Sequence, residues 1–308
     1  NDGEAGNVYG GGEAADIVVG ADETGKTVIN MNGGTVNNIF GGGFEGAVGE
    51  GKYTLADNSV LTDFRTYDVS KGKITKDETD IASVSTIVNL GTKTGTTYSY
   101  GKPTVNQSIY GAGDRGPVYG NSFVNINNGY VGYKYEENNY VPNLGSKNEF
   151  VEDGNVYGGG FGEYAKVYNT EVKMYDGIIR NSLYGGGEVS SVGMGFTTEQ
   201  GEGASKERVL DYVITPGVSS VEMYGGLVTN DVFGGGRGYA YDRSGTQISG
   251  EVFQTDGYVF GQTDVNIFRG TVGTDESIKE ENGSHGNVFG GGNIGYVYHG
   301  KSKKLTAA

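Results

Sequence analysis

A box of seven residues recurs seven times in this chain, and that repetition narrows the fold more than any other feature. The box reads GNVYGGG at residues 6–12 and returns as NNIFGGG, QSIYGAG, GNVYGGG, NSLYGGG, NDVFGGG and GNVFGGG. Its apolar pairs are Val8-Tyr9, Ile39-Phe40, Ile109-Tyr110, Val156-Tyr157, Leu183-Tyr184, Val232-Phe233 and Val288-Phe289, at spacings of 31, 70, 47, 27, 49 and 56 residues. A second block precedes most boxes: TVINMNGGTV from Thr27, FVNINNGYV from Phe123, TEVKMYDGII from Thr170, SVEMYGGLV from Ser220 and TDVNIFRGTV from Thr263, with an interrupted copy starting at Thr86. Ile29 and Met31 alternate with Asn30, and Val265 and Ile267 with Asn266, which is the period of a half-buried strand. A third, weaker block follows several boxes, as ADIVVG from Ala15, GAVG from Gly46, GPVYG from Gly116, AKVY from Ala165 and SSVG from Ser190.

The unit is therefore three short strands with glycine at the corners, where a chain turns sharply or stacked backbones approach closely. Its shortest copy takes 27 residues. So small a unit cannot bury its own apolar side, and stacking copies closes one continuous core. The pattern predicts an all-β chain, a parallel β-helix (β-solenoid) of about seven irregular repeats with long loop insertions. It forms one domain over residues 1–300 with a tail at 301–308. The box aromatics, Tyr9, Phe40, Tyr110, Tyr157, Tyr184, Phe233 and Phe289, are expected to stack as an interior or corner ladder. Asn30, Asn89, Asn125 and Asn266 are expected to form a polar ladder facing outward.

The uneven spacing comes from insertions at a few slots. One slot, after the third block, takes the segment from Glu50, that from Met194 to Val218 and that from Tyr241 to Gly257. Another takes the segments from Gly132 and Gly273, with the stretch at 91–101 nearby. Shared slots map to one face of a stack, so the loops should cluster there. The Gly132 loop is the best binding candidate. Tyr133, Tyr135 and Tyr140 offer rings for the apolar faces of sugars, and Glu137, Asn138 and Asn139 offer partners for hydroxyls. The plainer alternative is that the tyrosines pack the loop onto the stack.

Composition excludes several classes. A net charge of -15 disfavours nucleic acid and anionic lipid as partners. With no cysteine there are no disulfides and no thiolate metal sites. No apolar run approaches the roughly 18 residues a membrane helix needs, so no membrane insertion is expected. GAGDRG at 111–116 matches a dinucleotide fingerprint literally, but strand-like sequence follows where a helix must begin. His285 and His299 lack the spacing of a zinc site. No catalytic set can be assigned. Asp176 and Asp231 occupy repeat positions, yet nothing in the sequence brings two carboxylates together. No cofactor is implied, and calcium in the acidic residues 275–281 is the alternative to a solvated face.

The units NVYGGG, ADIVVG and TVINMNGGTVNNIFGGG resemble the glycine-rich repeat regions of bacterial adhesin-like surface proteins, as in gut anaerobes. The resemblance spans nearly all of the chain between Gly6 and His299 and carries no catalytic residues. It implies a non-enzymatic, extracellular or cell-surface solenoid that displays loops for adhesion to glycans or a host protein. Two alternatives stand beside it: a filament or stalk unit self-associating end to end, and a carbohydrate-active enzyme or phage-spike-like depolymerase on the same scaffold.

Overall fold

The computed structural model describes residues 3–20, 23–92, 102–136, 139–143, 153–162, 164–200, 207–238, 257–274, 286–293 and 295–298. The Tyr241 insertion up to residue 256, the acidic stretch 275–281, both histidines, residues 93–101 and the tail lie outside these. The chain is nearly all β, 50% strand and 3% helix, with three parallel sheets of seven strands each, an arrangement consistent with a β-helix or solenoid.

The box sheet stacks the seven apolar pairs in chain order, each beside the next, in uninterrupted register. One repeat therefore supplies one rung. A long sheet holds Gly25–Met31, Val84–Leu90, Val118–Ile126, Val167–Met174, Gly217–Met223, Val259–Ile267 and Val297–Tyr298. A short sheet holds Glu4–Ala5, Thr35–Val36, Thr104–Val105, Tyr130–Val131, Ile178–Ile179, Leu227–Val228 and Thr271–Val272. The three strands per unit are present, but the division differs from the sequence reading. The glycine inside the second block is a corner: Gly129, Gly177 and Gly270 take φ of 119°, 107° and 110°, which side chains with a Cβ rarely adopt. The block thus splits between the long and short sheets. The third block joins the long sheet, where Ile17, Val48, Val118, Val167, Val192, Val259 and Val297 bridge one another in succession.

Alternation in the long strands sends Val88, Leu90, Val124, Ile126, Val172, Met174, Val221 and Met223 to one side. There they share a single aliphatic core with Val36, Val105, Val131, Ile179 and Val228 of the short strands and with Ile39, Ile109, Val156, Leu183 and Val232, the first members of the apolar pairs. The second box residue points the opposite way. Phe40, Tyr110, Tyr157, Tyr184 and Phe233 form their own buried cluster. Their rings stack face to face with centroids 4.7–5.0 Å apart from Tyr9 through Phe289. The expected ladder is present, but the apolar pair serves two packing layers rather than one core.

Two polar ladders explain the residues around the box. In the long strands the hydroxyls of Thr27, Thr86, Ser122 and Ser219 donate to the carbonyls of Gly41, Gly111, Gly158 and Gly234, at 2.6–2.7 Å. At these four rungs this is the physical content of the Thr/Ser that opens the second block; at Thr170 the hydroxyl is buried without a hydrogen-bond partner. Just before the box, Asn38 Oδ1 accepts from the Ser108 amide and Asn155 Oδ1 from the Ser182 amide, and Asp231 Oδ1 accepts from that of Asn287. Ser108 and Ser182 hydroxyls accept from the Asn155 and Asp231 amides in between. Each side chain satisfies a buried corner amide on the next rung, which would otherwise cost about 1–3 kcal/mol.

The asparagine ladder is shorter than expected. Asn125 donates to Asn89 and Asn89 to Asn30, but Lys173 and Glu222 occupy the next two rungs before Asn266. Lys173 lies 3.5 Å from Glu222, so an ion pair replaces the amide ladder there.

Candidate functional site

Among the described residues, two of the three insertions occupy the slot after the third block. The first folds as Tyr53–Leu55, Val60–Leu61 and Ile74–Asp77, the second as a hairpin of Met194–Gln200 and Glu207–Thr215. They meet across the intervening rungs. Tyr168 and Thr215 both donate to Asp77 Oδ2 at 2.7 Å, Lys73 pairs with Asp211 at 2.6 Å, and Phe196 packs on Phe64 and Tyr67. Burial pushes the Tyr53, Tyr119 and Tyr168 hydroxyls up, and the Asp63 or Asp77 carboxylate beside each adds to the shift. The cavity left among these side chains, between Tyr53, Phe64, Tyr119, Tyr168 and Met194, measures ≈ 10 Å³, the size of a water rather than of a ligand.

The Gly132 insertion is different. Gly132 has φ 82° and sits so close to Gly154 that a Cβ would come within 2.6 Å of its Cα. The chain turns there from the short strand Tyr130–Val131 into an antiparallel hairpin, Tyr133–Glu136 against Asn139–Pro142. The base of the hairpin is tied down. Tyr140 stacks on Tyr130 with centroids 3.8 Å apart, and its hydroxyl accepts from the Lys102 amide at 2.6 Å. Asn143 is buried and donates to the Asn106 carbonyl at 2.8 Å. Tyr133 meets Tyr130 edge-on, and burial raises its pKa.

Anchored in this way, the hairpin lies beside the first three rungs of the short sheet and encloses a cleft of ≈ 410 Å³. Lys134, Tyr135 and Glu136 form one wall. Glu4, Ala5 and Gly6, Thr35 and Asn37, and Asn106 form the other, rung by rung. Asn106 donates to Asn37 Oδ1 at 3.0 Å, while its own Oδ1 is buried without a hydrogen-bond partner. The cleft thus combines one aromatic ring, two linked amides, two carboxylates and one ammonium group.

Of the residues singled out from sequence, Tyr135 lines the cleft. Tyr133 and Tyr140 are taken up by packing against Tyr130. Asn139 is exposed opposite Glu136 at the hairpin end, and Glu137 and Asn138 lie outside the described residues. Sequence reasoning missed Glu4, Asn37, Asn106, Lys134 and Glu136. A signal existed for two of them, since Asn37 and Asn106 each follow the Thr-Val of a short strand. Asp231 is buried as a backbone cap, and Asp176 accepts from the Gly177 amide. GAGDRG is a corner followed by the long strand Val118–Ile126. Among the described residues no cluster of His, Asp and Glu is placed to hold a metal ion, and no helix is long and apolar enough to cross a membrane.

No protein-family model matches the sequence, and no curated protein or solved structure matches the chain.

Proposed function

We propose that this chain is a seven-coil parallel β-helix acting as a non-enzymatic, extracellular binding module of the adhesin-like kind, with a glycan seated between the Gly132 hairpin and the short sheet. The observation that carries this reading is the composition of the cleft. A ring such as that of Tyr135 covers the apolar face of a sugar, while planar amides donate and accept, and carboxylates accept, around its hydroxyls. The carboxylates of Glu4 and Glu136, one on each wall and outnumbering the single ammonium of Lys134, favour neutral or amino sugars over sulfated or sialylated ones. The repeats' resemblance to surface-protein repeats supports the setting.

The test is a panel of bacterial, plant and mucin glycans, reading retained binding and released oligosaccharide on the same samples. Saturable retention without release is expected, weakened about tenfold or more by Tyr135→Ala, a loss of ~1.4 kcal/mol. Retention that Tyr135→Ala and Asn106→Ala leave unchanged removes the cleft from the account. Released product turns the reading to a depolymerase.

A further inference from the structure

The cleft beneath the Gly132 hairpin has one end that the backbone itself closes. Its sheet wall is built rung by rung, from Glu4, Ala5 and Gly6, then Thr35 and Asn37, then Asn106. Val36, Val105 and Val131 are successive register partners, so on the next rung the position of Asn37 and Asn106 is taken by Gly132. There the short strand Tyr130–Val131 runs on into the hairpin strand Tyr133–Glu136, which is the other wall. At that rung the two walls are one continuous stretch of chain.

The junction is also filled. Asn143 follows the returning strand Asn139–Pro142, and its amide donates to the Gly132 carbonyl at 2.8 Å. Its buried side chain donates through Nδ2 to the Asn106 carbonyl at 2.8 Å, which ties the hairpin base to the adjoining rung of the cleft. The Tyr140 ring on Tyr130 closes the base further. Behind Gly132 the stack continues without a gap, since a Cβ there would lie 2.8 Å from the Arg180 Cβ as well as against Gly154. In the other direction the hairpin runs back along the rungs. Its strand of 4 residues reaches ~14 Å at about 3.4 Å per residue, which equals about three rungs at about 4.8 Å. The cleft is therefore a trough along the stack axis, blind at the hairpin base.

We infer that this trough takes the terminal sugars of a glycan chain or branch, not an internal segment. The inference rests on the glycan reading and adds which part of the glycan enters. A chain lying along the axis enters only by its end, with the last sugar against the hairpin base. An internal segment would have to continue through the backbone at Gly132 and the side chain of Asn143.

Isothermal titration of the full chain tests it, with chito-, malto- and cello-oligosaccharides from disaccharide to hexasaccharide and with soluble polymers of each type. Affinity per chain end should stay within about threefold from trisaccharide to polymer. Stoichiometry should follow the number of chain ends and not the mass of polymer. Hexasaccharides coupled to a bulky carrier through one terminus should still bind, and those coupled through the other should lose about tenfold or more in affinity. Stoichiometry that rises with chain length, or binding that survives a carrier at either terminus, would overturn the chain-end inference and leave the glycan reading standing. Absence of binding to every oligomer and polymer, or binding that Tyr135→Ala leaves unchanged, would remove both.

Discussion

Close approach between rungs, rather than unusual dihedrals, explains the triple glycine. A Cβ on Gly159 would lie 2.8 Å from both the nitrogen and the Cα of Gly187, which are backbone atoms that cannot step aside. Gly159→Ala should therefore cost about 2–3 kcal/mol by overpacking. Gly33→Ala, where a Cβ meets nothing within 4 Å, should stay within about 0.5 kcal/mol of wild type. Urea unfolding of both variants checks the pair, and equal effects would contradict the close-approach account. Asn155→Ala should cost about 1–3 kcal/mol because the Ser182 amide loses its acceptor in a buried corner. At this scale the sequence was partly legible. The glycines and the Thr/Ser position were visible as a pattern, but two of the blocks were read from Phe123 and Ser220, one residue late. The ladder hydroxyls belong to Ser122 and Ser219, and only the carbonyl each one bonds reveals the register. The alternating valines fit either phase where polar residues are few.

Among the elements, the aromatic ladder is the most exposed to alkali. Tyr157 is fully buried, its hydroxyl has no hydrogen-bond partner, and burial raises its pKa well above the usual 10, with the Glu188 carboxylate adding to the effect. Tyr53, Tyr119 and Tyr168 are raised in the same way beneath the insertions. A raised folded pKa means that the native state holds the proton more tightly than the unfolded chain. The associated stability is complete below the unfolded value of about 10 and is lost as pH climbs from there toward the folded value. Unfolding free energy should thus be flat from neutrality to pH ~10 and fall beyond it, and Tyr157→Phe should make the fall shallower. A steady decline beginning near neutrality would count against buried, protonated tyrosines. The insertions show what a slot pattern conveys. Their clustering on one face followed from shared positions. Their interlock through Asp77 did not, because Lys73–Asp211 and Asp77–Thr215 each join residues 138 apart with no pattern to announce them.

For the whole molecule, about seven repeats that must stack to bury their apolar pairs were readable from the boxes, whereas one rung per repeat, rather than two, is settled by the register of the box sheet. The cleft was much less readable. It is assembled from residues 4–6, 35–37, 106 and 134–136, which the stack brings together and the sequence keeps apart. Only the hairpin wall announced itself, through its tyrosines, and two of those three are anchors. The central structural claim is the in-register stack that places these segments side by side. Because the chain has no cysteine, spin labels can be placed at Asn30→Cys and Asn266→Cys without a background. These positions share one register line, through Asn89, Asn125, Lys173 and Glu222, so they lie five rungs apart. At about 4.8 Å per rung their backbones are separated by ~24 Å. Pulsed electron-paramagnetic distance measurement should give one narrow distribution near that value, widened by the label arms. A broad distribution, or one centred well beyond it, would contradict the stack and with it the cleft.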